Sequence, residues 1–266
     1  MSIVCLTNIP RLVTSYYTEH PDINDRGQSV SFGTSGHRGS SLKGSFNEDH
    51  ILAISQSISE HRKIKGISGP MFIGMDTHAL SEPALRTCVE VFAANGVEVR
   101  LQNSFEYTPT PVVSHAILSW NSNHTRSIAD GVVITPSHNP PEDGGFKYNP
   151  PSGGPAGTDI TSVIEKRANE ILKIGLNVVK RMDFKKALSC GNVQFIDYIV
   201  PYARGLGDII DIEAIRRSGL KMASDPMGGS GVYFWEPIAD IWGLDIDIVN
   251  KKVDTTFSFM PQDHEG

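Results

Sequence analysis

Residues 135–140 (Thr-Pro-Ser-His-Asn-Pro) place one hydroxyl in a loop that directly follows a predicted buried strand. A strand that ends in such a loop presents its side chains at the carboxyl end of a sheet, where α/β proteins bind ligands. Ser137 is therefore a candidate nucleophile, although Ser, Asn and Pro also form ordinary turns. Its neighbour His138 is expected to point away from Ser137, since successive side chains of an extended segment alternate.

Residues 33–39 (Gly-Thr-Ser-Gly-His-Arg-Gly) form a second candidate segment, suited to binding phosphate. Small residues leave backbone N–H groups accessible, and the arginine adds a cation that matches phosphate oxygens. The residues of this loop that we place near a phosphate or substrate are Thr34, Ser35, Gly36 and His37. Because glycine-rich loops are common, an ordinary turn remains the alternative for this segment taken alone.

Residues 143–149 (Asp-Gly-Gly-Phe-Lys-Tyr-Asn) form a third segment, with Lys147 at the start of a predicted strand. The two glycines allow the backbone to approach a ligand closely. A surface lysine is usually a solvated cation, so Lys147 becomes a candidate only if it faces Ser137.

The elements that must position these segments alternate between strands and helices. Apolar or β-branched runs predict strands over residues 70–75, 97–101, 131–135 and 145–148. Helical spacing and terminal signals predict helices over residues 50–64, 83–95 and 158–174, and one that begins near residue 108. The predicted fold class is α/β, with a mixed, largely parallel sheet and flanking helices.

A second unit of the same kind is predicted after residue 190, so the predicted domains are residues 1–190 and 191–266. Residues 187–206 are interpreted as a link between them. Beyond the link we expect a helix over 209–217, a strand over 220–224, a loop, a helix to 242 and a strand over 244–249. One βαβ unit leaves a sheet edge unpaired and one face uncovered, so we expect this domain to be incomplete.

Composition and motifs exclude several classes of protein. The net charge of -6 argues against nucleic-acid binding, and 39% hydrophobic with 20% charged residues is typical of a folded globular protein. Ser137 lacks a Gly-x-Ser-x-Gly elbow and evident triad partners, which argues against acyl transfer. Residues 33–39 match neither a Walker loop nor a Rossmann fingerprint.

The sequence also bears on the compartment. It contains no apolar run of about 20 residues and no basic and apolar leader, so we expect a cytoplasmic protein without membrane contact. The three cysteines, Cys5, Cys88 and Cys190, are odd in number and lack metal-ligand spacing. Reduced thiols without a redox role are therefore expected.

Taken together, the three segments and residues 74–78 (Gly-Met-Asp-Thr-His) resemble the first domain of the α-D-phosphohexomutases. Within that family the sequence is most similar to bacterial phosphoglucomutases, including residues 224–229 (Ser-Asp-Pro-Met-Gly-Gly). The resemblance extends from Leu6 to Gly266.

The resemblance implies that Ser137 is held phosphorylated and gives its phosphoryl group to glucose 1-phosphate. Glucose 1,6-bisphosphate then reorients and returns its other phosphoryl group, leaving glucose 6-phosphate. Arg38 would contact the transferring group, Lys147 would act as general acid and base, and His138 would line the site. Asn139 would lie near the substrate, and Mg²⁺ would bind through the phosphate on Ser137.

Three elements of the family pattern do not occur in this sequence: the Asp-rich metal loop, the sugar-recognition loop and the C-terminal phosphate-binding domain. Asp245 and Asp247 alternate with apolar residues on a predicted strand and are interpreted as a polar sheet face. We therefore expect an incomplete Mg²⁺ site, negligible mutase activity of this polypeptide alone, and the missing C-terminal half as a partner.

Two alternatives remain open at this point. The chain is also compatible with part of a phosphomannomutase or phosphoglucosamine mutase, since much of the sugar choice is made by the missing region. It is further compatible with a truncated protein that binds a ligand or partner without catalysis.

Overall fold

The sheet that positions the candidate residues has six strands in the described part of the chain, which is residues 6–33 and 36–259 of a computed structural model. These strands are β1 (His37–Ser40), β2 (Met71–Met75), β3 (Val99–Gln102), β4 (Asp130–Ile134), β5 (Asp143–Asn149) and β6 (Val193–Ile196). Their order across the sheet is β1-β5-β4-β2-β3-β6. Strands β4, β2, β3 and β6 are parallel, whereas β5 pairs antiparallel with β4 and β1. The predicted mixed, largely parallel sheet is confirmed.

β4 lies inside the sheet, and all five of its residues are buried. Its β-branched residues Val132, Val133 and Ile134 contact apolar layers on both sides of the sheet, as a strand covered on two faces requires. In the parallel pair of β2 with β4, Met75 lies opposite Ile134. The residues that follow these two strands therefore emerge together at one edge of the sheet.

Helices cover both faces of this sheet. One layer contains α2 (Glu48–Lys65), α3 (Ser81–Ala94), α5 (Thr158–Lys173) and α6 (Phe184–Ser189), with α1 (Ile9–Thr18) beside them, and the other contains α4 (Thr110–Asn123) and α7 (Ile199–Gly205). The helical spacing of Ile51, Ile54 and Ile58 places all three side chains in the first layer's core, fully buried. Burial of each contributes about 2 kcal/mol.

Local signals fix both ends of α2. The Asn47 N–H donates to His50 Nδ1 at 3.1 Å, which satisfies one backbone N–H at the start of the helix. At the other end Gly66 adopts a left-handed conformation with φ of 67°, and its N–H bonds to the last turn. The helix predicted over residues 50–64 begins two residues later and ends one residue earlier than α2 does in the structure.

The interpretation of residues 187–206 as a link is wrong. This segment contains the end of α6, then β6 and α7, and β6 pairs with β3 along its whole length. Tyr198 fixes the turn after β6, because its buried hydroxyl donates to the Arg100 carbonyl oxygen at 2.7 Å. Residues beyond 190 thus extend the first sheet, and the division at 190/191 remains a prediction.

The second unit comprises α8 (Ile212–Arg217), β7 (Met222–Ser224), α9 (Trp235–Trp242) and β8 (Ile246–Ile248). β7 and β8 pair in parallel, and in the described residues they form a two-stranded sheet. Phe234 and Ile238 pack against Tyr198 and Ala203 of the first unit. Trp242 Nε1 also donates to the Ala203 carbonyl oxygen at 2.7 Å, so apolar and polar contacts attach α9 to α7.

None of the helices in the described ranges is both long and apolar enough to cross a membrane. Cys88 is a buried free thiol and Cys190 an exposed one, while Cys5 lies outside the described residues.

Candidate active site

The loop after β4 holds the Ser137 side chain exposed at the edge of the sheet. Ser137 has φ of 76°, a left-handed conformation that non-glycine residues adopt at a cost of about 1–2 kcal/mol. The Ser137 N–H donates to Thr135 Oγ1 at 2.9 Å, which holds this turn in place. Strain of this kind in a ligand-facing loop is common at functional sites.

His138 lies beside the Ser137 hydroxyl, with 3.4 Å between His138 Nδ1 and Ser137 Oγ. The sequence-based expectation that His138 points away from Ser137 is therefore wrong. That expectation assumed an extended backbone, and the positive φ of Ser137 removes the alternation of side chains. Both side chains are exposed, so both face the same solvent-accessible space.

β5 and β1 bring the other two segments to this loop. Lys147 lies opposite Val133 of β4, and Arg38 lies opposite Gly145 of β5. Gly36 immediately precedes β1 and has φ of 150°, and a β-carbon there would lie 2.6 Å from Lys147 Cγ. The glycine-rich loop thus packs directly on the lysine, and all three segments predicted from the sequence meet at one place.

Asn139 connects residues 135–140, called the serine loop below, to the antiparallel strands β1 and β5. Arg38 Nη1 donates to Asn139 Oδ1 at 3.3 Å, and Asn139 Nδ2 donates to Asp143 Oδ2 at 3.0 Å. The half-buried guanidinium is therefore oriented by a residue two positions from Ser137. This arrangement attaches a permanent cation to the loop that holds Ser137, and such a cation attracts phosphate.

Asp76 and His78 lie directly behind the loop, and sequence reasoning gave them no role. The His78 ring bonds to Asp76 Oδ2 through Nδ1 at 2.8 Å and to the Asn139 carbonyl oxygen through Nε2 at 3.0 Å. Burial lowers the pKa of His78, but the hydrogen bond and charge of Asp76 outweigh it and raise that pKa overall. Burial raises the pKa of Asp76, but hydrogen bonds from His78, Ser81 and Thr135 lower it overall. The sequence signal that could have indicated this role is the position of Asp76, an acidic residue directly after β2, the strand that pairs with β4.

The remaining predicted residues are placed differently. The His37 ring is buried, 5.0 Å from the His50 ring and 5.8 Å from the Phe46 ring, so its side chain lies in the core and not beside Ser137. Thr34 and Ser35 lie outside the described residues, and their predicted phosphate contacts stay predictions.

We expect the burial of His37 to make stability depend on pH. Burial and, to a smaller extent, the adjacent His50 lower the pKa of His37 to about 3, against the opposing effect of backbone hydrogen bonds. The unfolded chain, with a pKa near ~6.5, then binds the proton first, so stability is complete above that pH and falls as the pH drops toward 3. The slope is about 1.4 kcal/mol per pH unit.

His37→Phe keeps the ring stack and removes this titration. Urea unfolding between pH 7 and 4 should show wild type losing stability faster than the variant on acidification. All other titrating groups are common to both proteins. If the free energy of unfolding fell equally with pH in both, the pH dependence assigned to His37 would be contradicted.

We expect Gly145→Ala to disrupt the contact between β5 and the serine loop. A β-carbon at Gly145 would overlap the Thr135 carbonyl oxygen and Pro136 backbone nitrogen. Relief requires the backbone to move, at a cost of about 1–3 kcal/mol. Gly154→Ala is a matched control, since a β-carbon there meets nothing within 4 Å. Thermal unfolding should show a lower midpoint for the first variant only, and equal midpoints would contradict the packing described.

The described residues do not fit a complete magnesium site. No three His, Cys, Asp or Glu side chains in the described ranges lie close enough together to hold a metal ion. Mg²⁺ prefers oxygen ligands in near-octahedral geometry, and the Ser137 hydroxyl alone offers one oxygen. The part of the chain that the structure describes therefore supplies no metal-binding cluster.

Comparison with known proteins gives a consistent result. The family model "Phosphoglucomutase/phosphomannomutase, alpha/beta/alpha domain I" matches residues 29–174. The phosphoglucomutase of Komagataeibacter xylinus is 56% identical over 261 residues, which are 98% of this chain and 47% of that protein. Phosphoglucomutase 1 of Drosophila melanogaster is 32% identical over 68% of this chain and 35% of its own length. The open form of Paramecium parafusin has the same fold, with a TM-score of 0.70 at 19% identity over 90% of this chain and 45% of that one. This chain spans less than half of each of these relatives.

Proposed function

This chain belongs to the phosphoglucomutase/phosphomannomutase family, and on that premise we propose that it supplies the phosphoserine half of a phosphoglucomutase active site. The observation that carries the proposal is the meeting of three segments at the carboxyl end of β4. There Ser137 is exposed, Arg38 bonds to Asn139 two residues further along the loop, and Lys147 lies on β5 opposite Val133 of β4; these contacts support a shared site for the three side chains. A hydroxyl beside a permanent cation and an amine that can take and return a proton is the arrangement that phosphoryl transfer needs, because this chemistry depends on positioning, proton transfer and charge neutralisation.

In the proposed reaction, phosphorylated Ser137 gives its phosphoryl group to the 6-hydroxyl of glucose 1-phosphate. The bond between Ser137 Oγ and phosphorus breaks as phosphorus bonds to the sugar oxygen. The proton of the sugar hydroxyl goes to the neutral Lys147 Nζ, and the departing Ser137 Oγ takes a proton from the solvent to which it is exposed. The product, glucose 1,6-bisphosphate, turns around and returns the phosphoryl group from its 1-position to Ser137, whose hydroxyl gives its proton back to solvent. Lys147 then gives the proton back to the sugar oxygen, and glucose 6-phosphate leaves.

Arg38 has an electrostatic role in this proposal. Its guanidinium is always charged and can bond two phosphate oxygens at once. Its bond to Asn139 holds the guanidinium beside the loop that carries Ser137. The interaction stabilises the charge that spreads over the phosphate oxygens during transfer. His138 lines the same space beside Ser137.

We propose sugar phosphates as substrates, and glucose as the sugar because the bacterial relative that is 56% identical is a phosphoglucomutase. A cytoplasmic location remains part of the proposal. Mg²⁺ would contribute charge neutralisation at the phosphate, but the described residues do not complete its site, so we assign no step to it. For the same reason we expect turnover by this chain alone to be negligible.

A chimera tests this proposal. The 261 matching residues of the Komagataeibacter xylinus enzyme would be replaced by the corresponding residues of this chain. We expect the chimera to convert glucose 1-phosphate to glucose 6-phosphate with Mg²⁺ and traces of glucose 1,6-bisphosphate, at a kcat/KM within about tenfold of the parent. A chimera that folds but shows no turnover, beside an active parent, would contradict the proposal.

A further inference from the structure

One buried carboxylate, that of Asp76, lies behind the serine loop and receives several hydrogen bonds. Asp76 is 8% exposed, and it follows β2 at the sheet edge where the loop after β4 also emerges. The Asp76 N–H donates to the Ile134 carbonyl oxygen at 3.0 Å, which continues the pairing of the two strands. The carboxylate is thus fixed to the backbone that enters the serine loop.

The first connection from Asp76 reaches the serine itself. Thr135 Oγ1 accepts the Ser137 N–H at 2.9 Å, and Thr135 directly follows Ile134, whose carbonyl oxygen accepts the Asp76 N–H at 3.0 Å. The Thr135 hydroxyl is also close enough to the Asp76 carboxylate to lower its pKa. Asp76 therefore fixes the end of β4 that carries Thr135, and through Thr135 the serine backbone.

The second connection reaches the loop on the other side of Ser137. Asp76 Oδ2 accepts from His78 Nδ1 at 2.8 Å, and His78 Nε2 donates to the Asn139 carbonyl oxygen at 3.0 Å. The Asp76 Oδ1 oxygen also accepts from the His78 N–H at 3.0 Å, which holds the histidine backbone. The Phe257 ring, 4.7 Å from the His78 ring and nearly perpendicular to it, covers the histidine from the second unit.

We propose that Asp76 is the residue that positions the phosphoryl carrier, by holding Ser137 through Thr135 on one side and through His78 and Asn139 on the other. This inference rests on the proposed function of Ser137. Two connections on either side of one residue explain how Ser137 keeps its unfavourable φ of 76° in an exposed loop. Asp76 and His78 do not touch the transferring group. They act on it by fixing the direction of the Ser137 hydroxyl.

Amide exchange measured by NMR on this chain tests the positioning directly. In Asp76→Asn, which loses the charge-assisted bond to His78, and in Thr135→Val, which loses the acceptor of the Ser137 N–H, we expect the Ser137 amide to exchange about tenfold faster or more. His78→Leu should loosen the loop, and His78→Gln, which keeps an N–H donor, should restore much of the protection. Ser81→Ala is the matched control, because Ser81 donates to the same carboxylate at 2.6 Å but belongs to α3 and not to the loop.

Faster Ser137 exchange in Asp76→Asn and His78→Leu, with Ser81→Ala unchanged, supports the inference. Unchanged exchange in folded Asp76→Asn or Thr135→Val would overturn it, and so would equal acceleration in Ser81→Ala. If Asp76→Asn does not fold, Thr135→Val and His78→Leu decide between these outcomes.

Turnover of the chimera separates this inference from the proposed function. We expect Asp76→Asn to lower kcat about tenfold to a hundredfold with a smaller change in KM, because a misdirected nucleophile affects the transfer step more than sugar binding. A chimera without any turnover would contradict the proposed function. The amide-exchange data would still decide whether Asp76 positions the serine loop. Normal kcat in Asp76→Asn would overturn the positioning role.

Discussion

Replacing Ser137 by alanine is expected to reduce turnover of the chimera by about 10⁴-fold or more, the scale on which loss of a covalent nucleophile acts. Alanine has no oxygen to carry the phosphoryl group, and the loop holds no second hydroxyl in the same position: Thr135 is buried, and its oxygen accepts the Ser137 N–H. Coupled spectrophotometric assay of glucose 6-phosphate formation gives the rate.

Ser152→Ala is the matched control, since Ser152 is also an exposed serine in a loop. Its turnover should equal that of the unmodified chimera. Retention of more than about a tenth of the activity in Ser137→Ala would contradict a covalent role for Ser137, because removal of an obligatory nucleophile is not partial.

Replacing Lys147 by methionine is expected to lower kcat/KM by about 10²–10⁴-fold, the usual contribution of general acid and base catalysis. Methionine keeps much of the apolar stem that packs on Gly36 but carries no proton. Lys147→Arg keeps the charge yet stays protonated, so it should rescue little if proton transfer is the role. Steady-state kinetics on the chimera would measure both variants.

Lys166→Met controls for the loss of a lysine, because Lys166 is exposed on α5, away from the site. It should leave kcat/KM unchanged. Full activity of Lys147→Arg would show that Lys147 acts only as a charge, and full activity of Lys147→Met would remove it from the mechanism.

Much of the fold could be predicted from the sequence, because the signals for these elements are local. Ile51, Ile54 and Ile58 recur at helical spacing, and Val132–Ile134 form a β-branched run inside a buried strand. The meeting of the serine loop with Lys147 and Arg38 followed from a family resemblance, not from spacing. No local signal sets the antiparallel register of β5 with β4 and β1, which depends on the packing of the whole sheet.

Other features could not be predicted, for identifiable physical reasons. The left-handed conformation of Ser137 costs energy. The Thr135 hydroxyl holds it locally, but the bond from His78 Nε2 to the Asn139 carbonyl oxygen comes from the segment after β2, which residues 135–140 do not signal. β6 is short and at the sheet edge, with Phe195 40% exposed, and it lacks the apolar run of a central strand. The His37 ring is buried although its neighbours in sequence suggest a ligand loop, because β1 turns alternate side chains toward the core.

The network of Asp76 shows the same limit at the site. An aspartate and a histidine two residues apart are common in loops that follow a strand. Their role here depends on contacts with residues far away in the sequence: His78 bonds to Asn139, which lies 61 positions later. Only the parallel pairing of β2 with β4 brings them together. Long-range pairing of this kind is what local sequence patterns do not contain.

The central claim is that Ser137 carries the phosphoryl group, and mass spectrometry of the chimera during turnover tests it most directly. The reaction would be stopped by acid in the steady state, and the position of the phosphoryl group mapped by fragmentation of the peptide that contains residues 135–140. We predict one phosphoryl group on Ser137, which is lost when excess glucose 1-phosphate is added without glucose 1,6-bisphosphate. A phosphoryl group on a different residue, or steady turnover with unmodified Ser137, would contradict the account.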